Sequence, residues 1–169
     1  MELLGADFDR LGPLLQIAHG PDASVHARGQ VAVTHGQGRL VRILNRLNGV
    51  PAAGPNVPLK LEIQRTSTDE VWIRDFGNQR LTTRQWAQNG LFVEAAGPVR
   101  LEMRLRLEDD YLLFEPVNAR FLGIKMPARV GVSVFAKVRE MGNGWEVFVE
   151  TRSAILGLLF RYEGHIEIV

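Results

Sequence analysis

The chain has 169 residues, a length that suits one domain and allows about 70% of the unfolded chain's surface to be buried without covalent staples. Lys plus Arg is 20 and Asp plus Glu is 19, so the net charge is +1, which argues against a chain built to hold nucleic acid. There is no cysteine, which excludes disulfides, thiolate nucleophiles and Cys-ligated zinc or iron–sulfur centres.

The start, Met1 to Asp7, is acidic and lacks the apolar core of a signal peptide. The longest apolar run, Ala154 to Phe160, is far shorter than the roughly 18–20 residues of a membrane helix. The expected location is the cytoplasm, with no stable membrane insertion. Leu11, Leu14, Leu15 and Ala18 fall at helical spacing, with Asp9 as the expected N-cap and Gly20-Pro21 as the stop. Val25 to Val33 reads as a strand, and His35-Gly36-Gln37-Gly38 turns the chain. The clearest helix spans 39–47: Leu40, Val41, Ile43, Leu44 and Leu47 form an apolar stripe, and Arg39, Arg42 and Arg46 lie on the other side. Asn48-Gly49 ends it, and Pro51 to Pro58 reads as a loop.

From Pro58 the period changes to two. Leu59, Leu61 and Ile63 alternate with polar residues, and a turn follows at Ser67-Thr68-Asp69. Val71 to Phe76 places Trp72, Arg74 and Phe76 on one face. Leu81 to Gln88 and Leu91 to Ala95 flank Asn89-Gly90, a strong hairpin signal. After Gly97-Pro98, Val99, Leu101, Met103, Leu105 and Leu107 alternate with charged residues. Asp109-Asp110 turns this strand into Tyr111 to Glu115, and Val117 to Leu122 runs on to a bend at Gly123 to Pro127. Val130 to Val138, Trp145 to Val149 and Tyr162 to Ile168 alternate in the same way.

About nine or ten strands joined by short turns make an antiparallel meander, apolar on one side. So large a sheet curls, so the expected fold is mainly β: one domain over residues 1–169, a barrel or half-barrel with one or two N-terminal helices covering it.

Common catalytic signatures are missing: there is no P-loop, no His-Glu-x-x-His and no Gly-x-Ser-x-Gly, and Gly36-Gln37-Gly38 lacks the third glycine of a dinucleotide fingerprint. His26 and His35 fall on opposite faces of a regular strand, so no metal site and no cofactor are expected. The Arg39, Arg42 and Arg46 face reads either as a solvated helix surface or as an amphipathic surface for phosphate headgroups. Trp72, Arg74 and Phe76, with Arg84 and Trp86 on the next strand, are either external stacking pairs or a cationic spot inside an apolar cavity.

The chain resembles the bacterial domain of unknown function family 4166. The residues that carry the likeness are Gly36 to Leu40 with the helix after them, Pro51 and Pro58, Trp72 to Gly77, Gly97-Pro98, and Leu122 to Pro127. Members of that family stand alone or follow a saccharopine-dehydrogenase-like domain. The resemblance therefore implies an accessory role beside small-molecule metabolism and carries no active site with it. The function expected first is binding of an apolar or amphipathic small molecule, acidic ones included, with Trp72, Arg74, Phe76, Arg84, Trp86 and Arg42 as candidate contacts. The alternatives are a module that forms a homodimer or docks on a partner enzyme, and an enzyme without a recognisable motif.

Overall fold

The computed structural model describes residues 3–20, 24–66 and 68–169; the expected helix stop at Pro21 and the turn residue Ser67 lie outside them. A 3-10 turn (Gly5–Arg10) precedes α1 (Pro13–His19), β1 (Val25–His35) and α2 (Arg39–Leu47). The strands β2 (Gly54–Arg65), β3 (Glu70–Asp75), β4 (Arg80–Gln88), β5 (Leu91–Ala96), β6 (Val99–Glu108) and β7 (Tyr111–Phe121) follow. The two-residue β8 (Ile124–Lys125) leads to β9 (Val132–Met141), β10 (Gly144–Ser153) and β11 (Gly157–Ile168).

The sheet closes. Strands β1 to β7 form a continuous antiparallel meander, β7 meets β9, and β9, β10 and β11 lead back to β1. Ten strands make the barrel, and β8 folds back on the end of β7. The seam between β7 and β9 is short, running only from Leu112↔Val138 to Phe114↔Ala136. Near the upper end of that seam the chain from Leu122 to Gly131 is tied to its neighbours by backbone bonds from Leu122 to Pro98, Met126 to Ala119 and Ala154 to Gly131.

Tight turns set the strand order. Asn89-Gly90, Asp109-Asp110 and Leu122-Gly123 each put two consecutive residues at positive φ, the conformation that matches the twist of two antiparallel strands. Close approach of β1 and β11 requires glycine at two points. A Cβ at Gly29 would fall 2.0 Å from the His165 carbonyl oxygen, and one at Gly164 would fall 2.3 Å from that of Gln30. Such glycines let barrel strands bend sharply.

One barrel end is plugged by α1, which buries Leu15, Ala18 and His19. Two charged side chains from the barrel hold it. Glu140 of β9 accepts the Leu14 N–H at 2.8 Å, and the Arg65 guanidinium donates to the carbonyls of Ile17 and Ala18 at the helix end. Each charge has the sign that suits its helix terminus. The N-cap of α1 is Gly12, not Asp9, because the chain is extended at Leu11 and Pro13 occupies the first helical position.

Two further expectations need correction. The predicted loop from Pro51 to Pro58 is strand from Gly54 onward. Its prolines are tolerated because β3 pairs with β2 only from Lys60, so this stretch is an edge on one side. Of the apolar stripe of α2, only Val41 is buried against the barrel. The helix rests on Val41 and Asn45, and Asn45 Nδ2 donates to the Leu159 carbonyl at 2.8 Å. Leu40, Ile43, Leu44 and Leu47 are exposed.

Candidate functional site

About eight strands give a barrel that side chains just fill, so ten leave room. The interior holds a cavity of about 750 Å³. Its floor is α1, and its open end lies beside the C-terminal half of α2, where Leu44, Leu47 and Asn48 form part of the lip. One wall is aliphatic: Val132, Val134, Ala136 and Val138 from β9 face the cavity with Val147 and Val149 from β10.

The opposite wall carries a polar cluster. Arg74 on β3 lies 3.2 Å from Glu94 on β5 and donates to Thr83 Oγ1 on β4 at 3.0 Å. The two ionised side chains are only 11% and 13% exposed. Gln85 Nε2 donates to the same Glu94 oxygen at 2.9 Å. Tyr162, from β11 across the barrel, lies near Arg74 and interacts with it electrostatically. Burial works to lower the Arg74 pKa, but Tyr162 and Glu94 outweigh it and the net shift is upward. Burial, with Glu94 beside it, raises the Tyr162 pKa against the pull of Arg74, so the phenol stays neutral.

Two acceptors in this cluster lack a partner among the described residues. Glu94 Oε2 has no hydrogen bond, and Gln85 Oε1 is buried without one. Arg74 also keeps unused donors, since a guanidinium has five N–H groups. Below the cluster, Trp72 stacks under Arg74 (guanidinium carbon 5.2 Å from the ring centre) and on His19 (5.7 Å between centres). Desolvation, reinforced by Arg65, lowers the His19 pKa to about 4, so this floor imidazole is neutral at pH 7.

The structure divides the six residues singled out in the sequence. Trp72 and Arg74 line the cavity, and Phe76 is buried just past the end of β3 with its ring 5.8 Å from that of Tyr162. Arg84 and Trp86 stand on the outer wall. Arg84 pairs with Asp69, and Trp86 stacks on Arg100 and donates to Gln88. Arg42 is exposed on α2. The residues that complete the site, Thr83, Gln85, Glu94 and Tyr162, were not singled out. On β4 the polar Thr83 and Gln85 point inward while Trp86 points out, the reverse of the usual hydropathy rule. The available signal was Glu94, the one acid in the apolar run Leu91 to Ala96.

Fold and site together define a class: a closed antiparallel barrel, plugged at one end, with an apolar cavity and one charge-compensated polar cluster inside it. The family comparison agrees with the resemblance noted above. The profile of the domain of unknown function DUF4166 matches residues 11–166, and the chain belongs to that family. No curated protein and no solved structure matched the chain.

Proposed function

We propose that the barrel binds a single amphipathic small molecule whose uncharged polar head sits against Arg74 and Glu94. The observation that carries this reading is the pairing of a cavity of about 750 Å³ with a buried polar cluster that is already electrically neutral. Small-molecule sites run to roughly 300–1,000 Å³ and combine apolar walls with a few polar anchors. A carboxylate head would gain Arg74 but would meet the Glu94 charge within the same low-dielectric pocket. A hydroxyl or amide head avoids that conflict: it accepts from a spare Arg74 N–H and donates to the unpartnered Glu94 Oε2. The apolar remainder lies along the valine wall. Arg74, Glu94, Gln85, Trp72 and Tyr162 are the contacts this reading assigns.

Native mass spectrometry of the purified protein, with organic extraction of anything released, tests the proposal. A retained, uncharged amphiphile supports it. Titration with the neutral probe N-phenyl-1-naphthylamine gives a second readout, with enhanced fluorescence for the natural chain and loss of the signal in Val149→Trp, which fills the cavity. A ligand-free mass together with no probe fluorescence refutes it.

A further inference from the structure

The open end of the barrel differs chemically from the plugged end. On α2, Leu40, Ile43, Leu44 and Leu47 fall at i, i+3, i+4 and i+7, and all four are exposed, Leu47 by 77%. The β7–β8 tip adds Leu122 and Ile124, exposed by 72% and 75%. Leu122 holds φ at 50°, a left-handed conformation that a bulky residue seldom adopts. Val130 and Ile155, on neighbouring loops of the same end, are exposed as well. A soluble surface rarely gathers so many large apolar side chains without using them.

Cations surround this apolar rim. Arg39, Arg42 and Arg46 run along α2 beside the leucine stripe, and Lys125 and Arg129 flank the β7–β8 tip. Among the described residues none of these five takes part in an ion pair. At the plugged end charges are paired instead: Asp7 with Arg10, Asp69 with Arg84 and Glu108 with Arg106, with Asp9, Asp109 and Asp110 beside them. The net charge of +1 therefore conceals a mouth whose cations have no ion-pair partner among the described residues.

We propose that the mouth of the barrel docks on an anionic lipid surface. In this arrangement the α2 stripe and the β7–β8 tip enter the boundary between headgroups and acyl chains, as interfacial helices do, and the rim cations meet lipid phosphates. The barrel stands on the surface rather than spanning it, because its outer wall carries Arg104, Arg106, Glu108 and Glu115 where a membrane-spanning barrel needs apolar residues. Docking stands on the rim residues alone. The corollary rests on the ligand reading above: a docked cavity opens directly onto the bilayer, so an amphiphile passes between them without crossing water.

Flotation with vesicles provides the test, using phosphatidylcholine alone and an equal mixture of phosphatidylcholine and phosphatidylglycerol. The natural chain is expected to float with the mixed vesicles, more weakly as salt rises, and poorly with phosphatidylcholine alone. Leu122→Asp and Leu40→Asp, both outside the cavity lining, are each expected to reduce binding at least about tenfold. Arg42→Glu is expected to reduce it about fivefold or more. Both kinds of variant should bind N-phenyl-1-naphthylamine as the natural chain does, so loss of docking is read separately from loss of the cavity. Equal binding to both vesicle types, or no binding to either, overturns the proposal. So does a solution dimer that Leu122→Asp dissociates, since a second copy would then cover the rim.

Discussion

Removing the Glu94 carboxylate tests the energetic reasoning about the site most directly. In Glu94→Leu the Arg74 guanidinium keeps Thr83 and Tyr162 but loses its counter-ion in a place where it is only 11% exposed. Breaking a buried pair from one side costs about 3–5 kcal/mol, because the remaining charge stays desolvated and unpaired. Gln85 also loses the acceptor of its 2.9 Å hydrogen bond, which adds about 1 kcal/mol. In Arg74→Met/Glu94→Leu the uncompensated charge is gone, and replacement of a buried pair by apolar residues is commonly neutral or stabilising. The double variant should therefore recover most of the loss. Urea unfolding followed by tryptophan fluorescence reads both. With a slope of about 2 kcal/mol per molar, the single change lowers the midpoint by about 2–3 M and the double change by less than half of that. A carboxylate ligand such as decanoate should restore more of the single variant's stability than decanol does, because only the carboxylate supplies the missing charge. The reasoning fails if Glu94→Leu costs under about 1 kcal/mol, or if the double variant is no more stable than the single.

His19 makes stability depend on pH below neutrality. Its pKa is about 4 folded against 6.5 unfolded, so the unfolded chain binds the extra proton between these values and stability falls as pH drops. The unfolding midpoint measured at pH 7 and pH 5 should reveal a loss of about 2 kcal/mol that His19→Phe removes, while the ring between Trp72 and Phe114 is kept. Glu140→Ala deletes the side-chain acceptor at the start of α1 and should cost about 1 kcal/mol, with hydrogen exchange rising at Leu14 and Leu15 before the barrel strands respond. Asn45→Ala removes one of the two donors to the Leu159 carbonyl, which keeps the Gly36 N–H at 3.0 Å. It should loosen α2 by about 0.5–1.5 kcal/mol, seen as faster exchange over residues 39–48 with β11 still protected.

The barrel was legible because strand alternation and turn chemistry repeat the same message. In β6, Leu101 and Met103 alternate with charged neighbours and are buried as the pattern requires, and Asn89-Gly90 and Asp109-Asp110 turn the chain where their backbone preferences say they should. The missed elements depend on pairings distant in sequence. The prolines of β2 are harmless only because β3 arrives too late to need their N–H groups. The exposed face of α2 was illegible for a related reason. Hydropathy favours burying its leucines, but a hydrogen bond from Asn45 to Leu159, a residue 114 positions away, fixes the helix on its other side.

Of the six residues named from the sequence, Trp72 and Arg74 line the cavity, and the division has a physical cause. Period two identifies which residues share a face but not which face turns inward, and that is decided by closure of the whole sheet. Trp72 and Arg74 are interior because β3 follows the inward register of Leu61 and Ile63 through its pairing with β2. The same logic puts Thr83 and Gln85 inside on β4, since they alternate with Arg84 and Trp86. An interior Arg then demands an interior acid, and Glu94 on β5, one strand beyond β4, is the acid whose register brings it opposite Gln85. Charge balance thus acts as a topological constraint. Had the six-residue set been required to contain its own counter-ion, Arg84 would have been passed over in favour of Glu94, because Arg84 finds Asp69 on the outer wall. The ends of the molecule follow the same rule. Each antiparallel strand delivers its two turns to opposite ends, so a chain of balanced net charge can gather cations and leucines at one end, as α2 and the segment from Leu122 to Arg129 do, while the Asp109-Asp110 turn falls at the other.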